Sequence, residues 1–327
     1  MSIVTVITYT IFLPLMLSPI NANQRLGAYW WSGSEISRQY IVYNQWGKLD
    51  SPWMEIEAQQ GIYVWPVILD NNVRELQNNG SPILINFHNS PLWAVSSKIP
   101  CRLPDAQYVD DFINFVSATI DRYNPTAIEI WNEPEIPNYA SEVAGWCCGC
   151  IDNPLEYTGF LNQVYDAVKL KYPHVIIIGG ALTQDNSEWA RIFFSSNPHM
   201  DAVSFHYYQN YNHIYPNLDT SGLQARIADI NNRTNVPVWM TETSFLCNEK
   251  YNPCLETFRP QQEQWLNLVY PLSGVEKLFW FSQNEVWWNR CNMLHERANI
   301  LYPVFGSFTS LVENNHPNSA QKTIIRK

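Results

Sequence analysis

The sequence predicts an α/β protein closed as an eight-stranded parallel barrel, (β/α)8, and three observations carry that expectation. From residue 81 onward short β-branched runs alternate with helical patterns, each strand returning through a helix, which implies parallel pairing with right-handed crossovers. The strands are continuously apolar rather than alternating, so the sheet is covered on both faces. The chain has 327 residues, a length that eight βα units fill around a single core. No Gly-x-Gly-x-x-Gly or Walker sequence appears, which counts against an open nucleotide-binding sheet.

The elements follow in order. Residues 26–31 read as one strand, and 61–69 as another or as a loop entering a helix. The first βα unit is the hardest to place. If 26–31 is the second strand, the first comes from the N-terminal segment or is missing. Residues 81–88 form a buried strand. A helix over 105–123 follows, with Val109, Phe112, Ile113, Val116 and Ile120 on one face. Strand 127–131 precedes a helix opened by Asn153 as N-cap, Pro154 in the first turn and Glu156 at the capping-box position. Then come strand 175–179, helix 187–194, strand 202–206, helix 222–231, strand 236–241, helix 260–269, strand 276–281 and a closing helix over 300–311. No repeat, low-complexity tract or linker argues for a second domain within 23–327.

Composition narrows the function classes. Apolar residues are 46% of the chain and charged residues 15%, which excludes disorder. A net charge of −10 with no basic run argues against a nucleic-acid or anionic-membrane surface. The 14 Trp, 18 Tyr and 14 Phe exceed what a core needs, so some of these rings are expected to line a groove for a stiff polar ligand; plain core filling is the alternative.

Residues 3–17 are apolar, uncharged and broken by Pro14, too short for a comfortable membrane span. The segment 1–22 reads as a signal peptide or leader, with cleavage after Ala22, although Lys and Arg are missing from its start. A strand or linker left by a truncated gene start is the other reading. Export implies a secreted, periplasmic or cell-surface protein with no stable membrane insertion after processing; without a signal it is cytoplasmic. The seven cysteines, Cys101, Cys147, Cys148, Cys150, Cys247, Cys254 and Cys291, avoid the periodic core segments. Disulfides Cys247–Cys254 and from Cys101 to one of Cys147, Cys148 and Cys150 are expected. Zinc at 147–150 is the alternative, but the spacing fits no two-knuckle pattern, and no metal is assigned.

Two carboxylates stand where strands end. Glu133 follows strand 127–131 in Trp-Asn-Glu-Pro, and Glu242 ends strand 236–241 in Met-Thr-Glu-Thr. A barrel gathers all strand C-termini on one face, so these acids converge despite their distance in sequence. Paired carboxylates across a cleft are what glycosidic cleavage uses, one protonated for the leaving oxygen and one ionised for attack.

Trp-Asn-Glu-Pro after the fourth strand with Thr-Glu after the seventh resembles the clan of retaining (β/α)8 glycoside hydrolases that includes the cellulase-like and β-xylosidase-like families. The resemblance implies that Glu133 is the general acid/base, Glu242 the nucleophile and Asn132 the partner of the sugar 2-hydroxyl. It further implies that Tyr208 orients the nucleophile, His206 the sugar, and that Trp280 is the platform beneath it. His88, Asn89 and Trp93 are expected at the rim, and residues 53–65 resemble the loop after the second strand. The expectation is a glycosidase acting on an oligo- or polysaccharide, with β linkage and without a cofactor. A carbohydrate-binding barrel that has lost turnover is the competing class. A metal-dependent hydrolase ranks last, since only His88 and His206 lie near strand ends.

Overall fold

The barrel's strands pair side by side, all parallel, and the first closes on the last. They are β1 (Leu26–Tyr29), β2 (Trp46–Pro52), β3 (Ile83–His88), β4 (Ala127–Ile130), β5 (Ile176–Leu182), β6 (Ala202–Asn210), β7 (Val238–Leu246) and β8 (Lys277–Trp280). Closure runs through Leu26 opposite Leu278, Gly27 opposite Phe279 and Ala28 opposite Trp280. This computed structural model describes residues 24–30, 45–136, 149, 151–183, 187–210, 218–246, 259–281, 295–296, 300–301 and 303–314. The helices, in chain order, are α1 (Trp53–Ile56), α2 (Val67–Asn78), α3 (Val109–Tyr123), α4 (Pro154–Lys171), α5 (Glu188–Ser195), α6 (Ser221–Arg233), α7 (Arg259–Val269) and α8 (Pro303–Asn314). The expected signal segment, and every cysteine except Cys101, lie outside the described residues.

Local chemistry explains where the helices start. The Asn153 side chain accepts from the Leu155 N–H at 3.0 Å with Pro154 beside it, and Ser187 accepts from Ala190 N–H at 3.2 Å. Helix α3 ends on Asn124 at φ 45°, a left-handed cap that Asn tolerates.

The structure settles four points of the sequence reading differently or more narrowly. Leu26–Tyr29 is the first strand, bonded to both β8 and β2, so the barrel needs nothing from the N-terminal segment. The second strand is Trp46–Pro52, which sequence reading missed, because Gly47, Lys48, Asp50 and Pro52 look like a loop. Residues 61–66 are not a strand but a loop that enters α2. The closing helix begins later than expected, because Ile300–Leu301 pairs antiparallel with His295–Glu296.

Period two sorts the barrel interior into layers. The bottom layer is apolar: Trp46, Leu84, Ala127, Ile178, Ala202, Trp239 and Phe279 form one cluster, with Trp46 edge-on to Trp239 at 5.3 Å. Gly27 is required here, since a Cβ would stand 2.6 Å from the Phe279 ring. Two residues further along the strands the layer turns polar, with Lys48, Asn86, Glu129, Ser204 and Thr241 all buried. The next layer up holds the acids.

Between barrel and helices lies the larger core. It takes up most of the described tryptophans. Trp30, Trp53, Trp131, Trp265 and Trp280 are fully buried in it, Trp65, Trp93 and Trp189 pack partly buried against it, and Trp46 and Trp239 are fully buried in the bottom layer of the barrel. Each full burial is worth roughly 4–6 kcal/mol before entropy. Core filling, rather than a groove, therefore accounts for the described indoles.

Candidate active site

Glu133 is aimed by a twisted backbone. After β4 the chain enters the left-handed region at Trp131 (φ 75°) and again at Glu133 (φ 46°), conformations that cost non-glycine residues on the order of 1–3 kcal/mol. The surroundings impose them. The Trp131 N–H donates to Phe87 O at 2.7 Å, and its carbonyl accepts from Asn86 Nδ2 at 2.9 Å. Its indole packs on Phe112 and Phe160 and donates to Cys101 O at 3.2 Å. Gly149 seals the loop from the far side, its N–H donating to Asn132 O at 3.2 Å. At φ 78° and with a Cβ position only 2.1 Å from Ile136 O, that residue has to be glycine.

Glu242 is aimed by a bulge. The β6–β7 register runs Phe205 opposite Met240 and then His206 opposite Glu242, so β7 carries one extra residue at Thr241. A bulge re-aims the side chain that follows it, here toward the barrel axis. Lys48 Nζ on β2 donates to Glu242 Oε1 at 3.0 Å, and the Tyr208 hydroxyl donates to Oε2. His206 stands between the acids, with Nδ1 2.7 Å from Glu133 Oε1 and 3.5 Å from Glu242 Oε2. Donor atoms of Glu133, His206 and Glu242 all lie within 4.8 Å of one another.

The electrostatics give Glu242 a fixed charge. Burial pushes its carboxyl up, but the His206 imidazole, the Lys48 ammonium and the Tyr208 hydroxyl outweigh burial and hold it below the usual range. Burial disfavours charged His206 as well, yet Glu242 and Glu133 prevail and raise it. Lys48 is fully buried, and burial alone would lower it; the carboxylates of Glu129, Glu242 and Asp50 raise it instead. Glu129 lies 3.0 Å from Lys48 Nζ and also accepts from Asn86 Nδ2 at 2.9 Å. Tyr208 is pushed well up by burial and by both catalytic-face acids, so it stays a neutral donor.

Among the described residues, Glu133, His206 and Glu242 are close enough to hold a metal ion. Their atoms are already engaged, however. Lys48 and Tyr208 occupy the two oxygens of Glu242, and an ammonium 3.0 Å from one ligand opposes a second cation. The set suits proton traffic better than metal ligation.

The structure brings Glu133, Glu242, His206 and Tyr208 together, with Asn132 directly before Glu133. The Tyr208 hydroxyl donates to Glu242, the nucleophile candidate. His206 does not face an open sugar site: its side chain is fully buried between the two acids. Trp280 is also corrected. It is fully buried on the outward, helix-facing side of β8, and the inward aromatic is the next residue, Phe281, stacked on Tyr29 at 4.5 Å and edge-on to Tyr208 at 5.8 Å. Trp93 packs edge-on against Trp53 and Tyr108 and donates its indole N–H to Glu57 O at 2.8 Å, an anchoring role rather than a rim one. His88 ends β3 and remains partly exposed beside Asp50. Sequence reading missed Lys48, Asp50, Glu129, Tyr29 and Phe281. The signal for the first two was Lys-x-Asp, two charges at strand period, in a stretch read as loop.

The cellulase family, glycosyl hydrolase family 5, matches residues 47–286. No curated protein matches the chain. Among solved structures, a family 39 glycoside hydrolase from the gut symbiont Bacteroides cellulosilyticus WH2 aligns with a TM-score of 0.63 at 16% identity, over 89% of this chain and 64% of that one. A GH39 enzyme from Xanthomonas axonopodis pv. citri aligns with a TM-score of 0.65 at 14% identity, over 90% and 67%. A monomeric β-xylosidase from Caulobacter crescentus CB15 aligns with a TM-score of 0.63 at 15% identity, over 88% and 67%. At these identities the likeness is one of fold. The chain spans 64% of the length of the first of them.

Proposed function

Because the chain belongs to the cellulase family, glycosyl hydrolase family 5, we propose that it is a retaining O-glycoside hydrolase working by double displacement on a β-linked oligo- or polysaccharide. The observation that carries this reading is the pair of carboxylates with one oxygen of each within 4.8 Å of the other, Glu242 held by Lys48 and Tyr208 and Glu133 by His206. Retaining glycosidases hold their carboxyls about 5–5.5 Å apart, whereas inverting ones leave about 6.5–9.5 Å for a water. Glu242, kept ionised, attacks the anomeric carbon as the glycosidic C–O bond breaks, and Glu133 gives its proton to the departing oxygen. Glu133 then takes a proton from water, which displaces Glu242 and releases the sugar. Lys48, Tyr208 and His206 hold the two acids in place, and no step calls for a cofactor.

The test is proton NMR of the first product formed from aryl β-glycosides with gluco, xylo, manno and galacto configurations. Retained β-anomer is expected from whichever member is turned over. Inverted product would overturn the double displacement.

The apolar, uncharged run at residues 3–17 and the number of cysteines support a secreted or periplasmic location. Cys101 is buried, and its carbonyl accepts the Trp131 indole N–H of the Glu133 loop. A link from Cys101 to Cys147, Cys148 or Cys150, on either side of Gly149, would clamp that loop from both ends. Non-reducing peptide mapping of native protein is expected to recover Cys101 joined to one of the three, and Cys247 joined to Cys254. Seven free thiols would count against both export and the clamp.

A further inference from the structure

We propose that Asn86 is a positioning residue that ties both catalytic carboxyls to one frame, an inference that rests on the glycosidase reading above. Its side-chain amide joins the ion pair beneath Glu242 to the turn that aims Glu133. Asn86 is buried in the polar layer on β3, registered opposite Glu129 on β4. Its Nδ2 carries two protons and gives them to two acceptors, Glu129 Oε2 at 2.9 Å and the Trp131 carbonyl at 2.9 Å. Each acceptor leads to a different acid. Glu129 Oε2 lies 3.0 Å from Lys48 Nζ, and the same ammonium lies 3.0 Å from Glu242 Oε1. The Trp131 carbonyl stands between the left-handed positions at Trp131 (φ 75°) and Glu133 (φ 46°).

Non-glycine residues keep such conformations only where their surroundings over-determine them. The Trp131 N–H is held by Phe87 O, the indole by Cys101 O, and the Asn132 carbonyl by the Gly149 N–H. Asn86 adds the hold from the barrel interior, where the counter-ion of the nucleophile lies. Its bond to ionised Glu129 is charge-assisted, so the amide is itself firmly placed. Without that amide the Trp131 carbonyl loses its donor, and a buried acceptor left unpaired drives the Trp131–Asn132 peptide to turn. Glu133 follows that peptide away from the glycosidic oxygen, whereas Glu242 keeps Lys48 and Tyr208. The loss therefore falls on proton transfer to the leaving group and spares attack at the anomeric carbon. An aspartate cannot substitute for the amide. Beside the Glu129 carboxylate it takes up a proton, and its single O–H serves one acceptor of the two.

The test is the dependence of kcat/KM on the leaving group, for aryl β-glycosides of one glycone running from dinitrophenyl to unsubstituted phenyl. Asn86→Ala is expected to lose roughly 10–100-fold on the phenyl glycoside, part of the about 10²–10⁴-fold that general acid catalysis supplies. On the dinitrophenyl glycoside, which needs no proton, it should lose less than about 3-fold. Fewer folded molecules would lower every substrate by one factor, so this split separates positioning from stability. Asn86→Asp keeps the side-chain shape and should steepen the same dependence; it carries the test alone if Asn86→Ala does not fold. Added to Glu133→Ala, Asn86→Ala should cost the phenyl glycoside less than about 3-fold more, because the group it positions is already gone. A loss equal for all leaving groups, an unchanged profile, or a loss that persists in full on top of Glu133→Ala would overturn the role of Asn86 and leave the glycosidase reading standing. A wild-type enzyme that turns over no member of the series would remove both.

Discussion

Glu242→Ala is expected to be silent until azide is added, and then to give a glycosyl azide of inverted configuration. Loss of the nucleophile should lower turnover roughly 10⁴-fold or more, the scale on which such a deletion acts in other covalent mechanisms. The cavity left beside Lys48 and Tyr208 admits a small anion, which attacks from the side the carboxylate occupied. One displacement replaces two, so a β-glycoside yields the α-azide. Glu133→Ala should behave differently. General acid catalysis is worth about 10²–10⁴-fold, so substrates that need a proton on the leaving oxygen suffer most and dinitrophenyl glycosides least. The glycosyl-enzyme still forms on Glu242, waits for lack of a base, and is released by azide as the β-product. Proton NMR of the two azides reads the difference directly. The same configuration from both variants would mean that the roles of Glu133 and Glu242 are misassigned.

That asymmetry was legible in the sequence because each acid closes an apolar strand. β4 and β7 announce themselves through runs such as Ala-Ile-Glu-Ile and Val-Trp-Met-Thr, and any parallel barrel then brings their ends together. β2 did not announce itself. Its inward positions are Trp46, Lys48 and Asp50, and a strand whose interior face carries two charges has lost the apolar pattern by which strands are found. The polar layer beneath the site was hidden for the same reason, since Lys48 meets Glu129 and Glu242 only through the closed barrel, at separations no local pattern encodes. Trp280 shows a different failure. A resemblance supplied the residue type, but period two decides the face, and here it turns Trp280 outward and Phe281 inward. The bulge at Thr241 likewise shifts Glu242 by one position, which a strict alternation would have misplaced.

Lys48→Met should be costly twice over, and the two costs separate in pH. Lys48 is the shared counter-charge of Glu129 and Glu242, 3.0 Å from each, and both carboxylates are buried. Removing one partner of a buried ion pair costs about 3–5 kcal/mol, because an uncompensated charge stays behind. The sign with pH follows from both groups. Glu242 is depressed below its ordinary 4.5, so its contribution is present above that pH and is lost as pH falls through the folded-state value. Lys48 is raised above its ordinary 10.5, so its contribution is full below that pH and is lost as pH rises through its folded-state value. The wild type should therefore exceed the variant most between these limits, read as the shift in urea midpoint against pH. Activity reports the same loss through a different group. The acid limb of kcat/KM follows ionisation of the nucleophile in free enzyme, and without Lys48 that limb should move upward. Adding Glu129→Gln to Lys48→Met removes the stranded charge beneath the site, so stability should recover in part while the acid limb stays displaced. A methionine variant with wild-type stability and an unmoved limb would show that His206 and Tyr208 suffice to hold Glu242 ionised, leaving Lys48 a structural filler between β2 and β4.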